Sequence, residues 1–263
     1  MFRKKVRNRR TVKKCLICLT TIFLLLCLFI AAQAEADTLW NMDRSIQLTE
    51  SDLPDQRLAG LIIGIDPGHQ EHANSAQEPV SPGSKEKKSK VSSGTQGSKT
   101  HIREYVTVLE IGLKLRDALV AEGATVYMTR ETNDVDISNI QRAQMMNELG
   151  ADIVLRLHTD GQEGGHDRNG TAIYVRKTGT RADECKAAAQ VMVDAMCAVT
   201  GAKNRGVHLS DSYSGLNWSE VPSLLIEMGY STNYEEDEKL NSDWYQDLLV
   251  QGMVNGICEY FNR

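Results

Sequence analysis

Short apolar runs, each followed by a helical pattern, set the tightest limit on how this chain can fold. Leu61-Ile62-Ile63-Gly64-Ile65 is continuously apolar, with no polar residue alternating into it. A strand written that way is buried on both faces. Further strand patterns cover 125–128, 152–158, 171–175 and 223–228. Helical patterns separate them. Val108, Ile111, Leu115 and Leu119 recur at spacings of three and four within 104–122, and Gly123 supplies a stop. Ser138 caps a second helix that ends before Gly150. An Ala-rich third helix covers 181–200 and an amphipathic fourth covers 242–261. Strands alternating with helices predict an α/β fold, a mainly parallel twisted sheet of about six strands flanked by helices on both faces. No internal repeat or second domain is expected.

The stretch 66–102 breaks this rhythm. Its second half, 81–100, holds six Ser, five Lys, three Gly and two Thr. It reads as a solvated, mobile loop. Loops this long inside a domain are more often functional than idle. The five lysines suit an anionic polymer or simply a solvated surface.

The N-terminus is written differently again. Residues 1–14 carry eight basic side chains and no acid. An 18-residue charge-free run, 15–32, follows, and then Ala31, Ala32, Ala34 and Ala36. This is the order of a secretory signal, with cleavage after Ala34 or Ala36. The apolar run also reaches the length of a spanning helix, so an uncleaved anchor through 15–32 is the alternative. Either way the remainder is expected outside the cytoplasm, extracellular or at the cell wall. Residues 37–59 read as a polar spacer and 60–263 as the folded domain.

Composition narrows the function. The 263-residue chain is 41% apolar, with 30 Lys+Arg against 35 Asp+Glu, a formal charge of −5. Losing 1–36 removes eight bases and one acid, which leaves 22 against 34, or −12. So acidic a domain argues against nucleic acid as a partner. A monomer is expected. Cys185, Cys197 and Cys258 remain beyond the N-terminal run and read as small buried hydrophobes, with no CxxC pair to build a cysteine metal site.

Reactive side chains of open α/β sheets gather beyond the carboxyl ends of strands. The first strand runs into Asp66-Pro67-Gly68-His69, the third ends at His158 and the fifth at Glu227. Glu104 opens the helix after the long loop. Two His and one Glu form a standard set for a catalytic zinc, with a further carboxylate as general base. Taken singly, each is ordinary. A strand-end His is usually a hydrogen-bonded structural residue, and a Glu at a helix start usually answers the helix dipole. Glu227 is less ordinary, because it follows Leu224-Leu225-Ile226 and a buried acid needs a partner.

At these residues the chain resembles the zinc-dependent N-acetylmuramoyl-L-alanine amidases of bacterial cell walls, the amidase_3 type. The resemblance covers about 60–262. Ile-Gly-Ile-Asp66-Pro67-Gly68-His69 is similar to the family's first metal motif, Glu104 with Val108 to Leu115 to its second, and 151–158 to its third. Thr129 to Asp134 and Arg142 match the stretch between, and Asn204 to Val207 with Pro222 to Asn233 match the closing motif. The resemblance implies His69, Glu104 and His158 as ligands of Zn2+ and Glu227 as the catalytic carboxylate. It implies peptidoglycan as substrate, cut at the amide between N-acetylmuramic acid and L-alanine of the stem peptide.

Arg156 and Asp160 depart from the family pattern, which commonly has Ser and Asn there. Arg156 either binds a substrate carboxylate or pairs with a nearby acid. Asp160 either hydrogen-bonds His158 or solvates the turn before Gly161. Arg205, in the closing motif, is a second substrate-binding candidate. His101, three residues before Glu104, is an alternative ligand; His72, His166 and His208 carry no assigned role. Two other functions fit the residues less closely, a zinc peptidase cutting within the stem peptide and a non-catalytic peptidoglycan-binding regulator.

Overall fold

The computed structural model describes residues 56–179 and 181–263. The expected signal or anchor, 1–36, and the spacer up to residue 55 lie outside the described residues. The last part of that spacer belongs to the packed unit. Leu58 is fully buried, its N–H donates to the Glu122 carbonyl (2.8 Å), and Arg57 pairs with the Glu122 carboxylate.

Six strands form the main sheet: β1 (Ile62–Pro67), β4 (Thr125–Met128), β5 (Ile153–Asp160), β6 (Thr171–Arg176), β7 (Asn204–Ser210) and β8 (Ser223–Tyr230). Their order is β4-β1-β5-β8-β6-β7. The first four are mutually parallel; β6 runs antiparallel to β8 and parallel to β7. The predicted mainly parallel α/β sheet is therefore the observed one. β7 was not legible as a strand. It is an edge strand, half-buried to exposed throughout, so its residues carry no apolar run.

Alternation along the strands sorts side chains to two unequal faces. Ile63 and Ile65 of β1, Ile153, Leu155 and Leu157 of β5, and Leu224, Ile226 and Met228 of β8 enter one large core. Helices α1 (Glu104–Ala121), α3 (Ala182–Thr200) and α6 (Asp243–Tyr260) cover it. Val108, Ile111, Leu115 and Leu119 are all fully buried there, as their spacing predicts. The opposite face has only a small core of Met146, Ala151 and Val154, under α2 (Asn139–Glu148) and next to the short α4 (Ser214–Asn217). Ser138 caps α2 in a reciprocal box with Gln141. A further short helix, α5 (Tyr234–Leu240), follows β8. Among the described residues, no helix is long and apolar enough to cross a membrane.

The Ser/Lys stretch is not a structureless loop. It contains an antiparallel hairpin, β2 (Asn74–Pro79) and β3 (Lys87–Val91). The tip is a turn in which the Ser84 N–H donates to the Ser81 carbonyl, with Pro82 and Gly83 in the centre. Gly83 has φ +76°, the conformation a type II turn demands at its third position. Side chains fasten the hairpin. Trp218 Nε1 donates to the Pro79 carbonyl (2.9 Å), Asn217 Nδ2 to the Val80 carbonyl (3.0 Å) and Asn74 Nδ2 to Asp136 (2.9 Å).

Candidate active site

Register on the thin face brings the predicted residues together. His158 of β5 and Glu227 of β8 are direct partners, and Asp66 of β1 partners Arg156 of β5. His69 lies two residues past β1, and Glu104 is the first residue of α1. The three expected ligands meet: His158 Nδ1 is 3.1 Å from His69 Nε2 and 3.1 Å from Glu104 Oε1, and His69 Nε2 is 3.2 Å from Glu104 Oε1. Their chemistry fits a metal ion. Ligands about 2.0–2.1 Å from a tetrahedral centre stand roughly 3.3 Å apart. Among the described residues, this is the group of three that could hold a cation. His101 and His72 are not part of it.

Neighbours outside the cluster aim His69 and Glu104. His69 Nδ1 lies 3.0 Å from the Ser92 carbonyl. The Ser92 hydroxyl is equally near (3.0 Å); an N–H on Nδ1 satisfies the carbonyl and leaves the Nε2 lone pair facing the cluster. Glu104 is buried; its Oε2 accepts from the Thr95 N–H (2.7 Å) and hydroxyl (2.9 Å), and its Oε1 from the Thr159 N–H (3.0 Å). Burial opposes the charge on Glu104, but the two histidines outweigh it and hold the carboxyl well below its usual range. Burial, together with the charge of His69, keeps His158 below its ordinary pKa despite Glu104. Burial also opposes the charge on His69, which Glu104 nevertheless raises. An ionised carboxylate and a neutral imidazole are the forms that bind metal.

The His69 backbone is left-handed, φ 60°. That conformation costs about 1–3 kcal/mol in a non-glycine residue and persists only where the surroundings enforce it. Two buried arginines do so. Arg142 donates to the Pro67 and His69 carbonyls (2.8 Å each). Arg130 donates to the Pro67 and Gly68 carbonyls (2.9 Å each). Gly68 itself admits no side chain, since a Cβ there would lie 2.3 Å from the His158 ring.

Asp66 anchors this clamp. It is fully buried, accepts from Thr129 Oγ1 (2.5 Å), and pairs with Arg142 and Arg156 (2.8 Å each). Burial alone would raise its pKa, but the two guanidiniums drive it below the usual carboxylate range. Arg156 is thus a buried ion-pair partner of Asp66 that also lines the cleft. Sequence reasoning passed over Asp66, Arg130, Arg142, Ser92 and Thr95 as site-shaping residues. Asp66, Arg130 and Arg142 lie inside matched motifs, so order alone flagged their region; Ser92 and Thr95 carry no pattern.

The centre opens into a cleft of about 700 Å³, lined in part by hairpin residues Gln77, Lys88 and Ser89 and by residues 212–215. Glu227 lines it, only 8% exposed, and its Oε2 is buried with no hydrogen-bond partner. Burial, then the charges of Glu104 and Asp160, push its pKa well above the usual value. Asp160 Oδ1 accepts the Gly161 N–H (2.7 Å), the turn role weighed for it. Burial and Asp160 also raise the Tyr230 hydroxyl to about 12. No hydrogen bond joins Asp160 to His158 among the described residues. Arg205 is not in the cleft wall; it covers the Tyr230 ring at 5.3 Å and donates to the Asn169 carbonyl. Tyr174 stacks on His208 (5.0 Å) and meets Tyr213 edge-on (5.4 Å).

The sequence profile of the Amidase_3 family, described as N-acetylmuramoyl-L-alanine amidase, matches residues 63–259. The chain belongs to this family. The probable cell wall amidase LytH of Staphylococcus epidermidis is 26% identical over 223 residues, 85% of this chain and 66% of that protein. The chain spans 53–66% of the length of the staphylococcal relatives it matches. Among solved structures, the amidase Ami1 from Mycobacterium abscessus superposes with a TM-score of 0.71 at 25% identity, covering 78% of this chain and all of that one. The amidase of Clostridium difficile 630 gives 0.66 at 25% identity, covering 77% and 97%. This Amidase_3 chain therefore carries its cluster and Glu227 on the fold its relatives use.

Proposed function

We propose that this Amidase_3 chain is an exported zinc hydrolase. It cleaves the amide between N-acetylmuramic acid and L-alanine of the peptidoglycan stem peptide. One observation carries the reading: a buried, partnerless Glu227 carboxylate oxygen in the same cleft as the His69–Glu104–His158 cluster. His69, Glu104 and His158 would hold the zinc, which would supply Lewis acidity to the scissile carbonyl.

The chain's own groups do the rest. Glu227, with its raised pKa, takes a proton from the attacking water and returns it to the departing alanine nitrogen. The water oxygen joins the carbonyl carbon as the C–N bond breaks, leaving a lactyl carboxyl group and a free amine. The segment 1–36 serves as signal or anchor, which delivers a monomeric domain to the wall, and 60–263 is the catalytic domain. Arg156 acts through Asp66, while Arg205 stands over Tyr230, outside the cleft lining.

The test is release of stem peptides from purified sacculi. Glu227→Gln is expected to lose about 10²–10⁴-fold in rate, and mass spectrometry should find free N-terminal alanine and intact glycan. Products cut inside the stem peptide would indicate a peptidase instead. A Glu227→Gln protein as active as wild type would remove the role given to Glu227.

A further inference from the structure

The cleft is acidic where the chemistry is expected: Glu104, Asp160 and Glu227 all line it. Two cationic side chains also line it, Arg156 and Lys88. Arg156 is committed, buried against Asp66. Lys88 is different. It stands on β3, is exposed, and pairs with no carboxylate among the described residues. Its ammonium donates once, to the carbonyl of Ser212, another residue of the cleft lining (2.7 Å). An ammonium has three donors, so two remain. Glu78, the register partner of Lys88, is occupied elsewhere, accepting the Ile140 N–H (3.2 Å). The hairpin that carries Lys88 is fastened at Pro79 and Val80 to Trp218 and Asn217.

We propose that Lys88 is a specificity-determining residue that reads a free carboxylate on the peptide side of the scissile amide. The inference rests on the amidase reading above. A peptide held through its N-terminus bears its negative charge on carboxylates, and an acidic cleft accepts one only where a cation answers it. A cleft of about 700 Å³ takes a ligand of drug size, a muramoyl sugar with roughly two residues. The carboxylate in reach is therefore that of the residue after alanine.

Two substrates separate the outcomes: N-acetylmuramoyl-L-alanyl-D-glutamate with a free α-carboxyl group, and the same compound as its α-amide, both capped at the side-chain carboxyl. Wild type should prefer the free acid by about tenfold in kcat/KM, the size of one charge-assisted hydrogen bond. Lys88→Gln and Lys88→Ala should raise KM for the acid about tenfold and erase the preference. Lys88→Arg should retain it. A merely structural role for Lys88 would slow both substrates alike, and that result, or a wild type with no preference, overturns the inference alone. A wild type that cleaves neither compound nor sacculi overturns the amidase reading, and this inference with it.

Discussion

A carboxylate poised to exchange protons is a stability cost, and Glu227 is expected to show it. Its folded pKa is raised, so the penalty is absent below the unfolded value near pH 4 and grows as pH rises toward the folded one. Glu227→Gln cannot ionise. In metal-stripped protein the variant should be more stable than wild type, by on the order of 1 kcal/mol per pH unit from about pH 4 up to the folded pKa, beyond which the gap is constant. Urea unfolding at pH 5 and 8 checks this; a gap that does not widen with pH would contradict it. Asp66 should behave with the opposite sign. Its folded pKa is depressed, so its contribution is complete above the unfolded value near pH 4 and is lost as pH falls through the folded one. Asp66→Asn strands two buried guanidiniums and should cost about 3–5 kcal/mol at pH 7. The difference from wild type should shrink below pH 4.

At the level of elements, the hairpin is the piece whose order depends on few contacts. Trp218→Phe keeps one aromatic ring but loses the indole N–H and its hydrogen bond to Pro79, about 1 kcal/mol apart from the packing of the smaller ring. Faster amide exchange confined to 74–91, with the sheet unaffected, is the expected outcome. The hairpin also marks where sequence reasoning stopped. Core strands and helices announce themselves because burial imposes a period, as at Val108, Ile111, Leu115 and Leu119. β2 and β3 expose most of their residues and are held by side-chain contacts with 136, 140, 217 and 218. No local pattern encodes such distant partners. The Pro82-Gly83 turn was the one signal present, hidden within a run of Ser and Lys. The proposed ligands His69, Glu104 and His158 were readable as candidates from strand ends and motif order, and the fold brings them together. The arginine clamp under them was not, because buried arginines look in sequence like any others.

For the molecule as a whole, the metal and the fold should be linked. His69, Glu104 and His158 come from three separate elements, so an ion bound between them stabilises the folded state by mass action. Zinc at 100 times its Kd should add about 2.7 kcal/mol and raise Tm by roughly 5–11 °C. Chelator should reverse the shift, and His69→Ala should not respond; an identical Tm with and without zinc would count against the site. The two faces of the sheet divide labour in a way that bears on handling the protein. The cleft lies at the carboxyl ends of the strands on the thin side, whereas α1 and α6 present Val120 and Trp244 to solvent, 54% and 57% exposed, on the thick side. Val120 lies at the far end of α1 from Glu104, about 24 Å away by helical rise. A bead, dye or surface coupled through a cysteine at 120 would hold the molecule by its back. The mouth of the cleft would then face outward, toward an insoluble mesh that cannot diffuse to it.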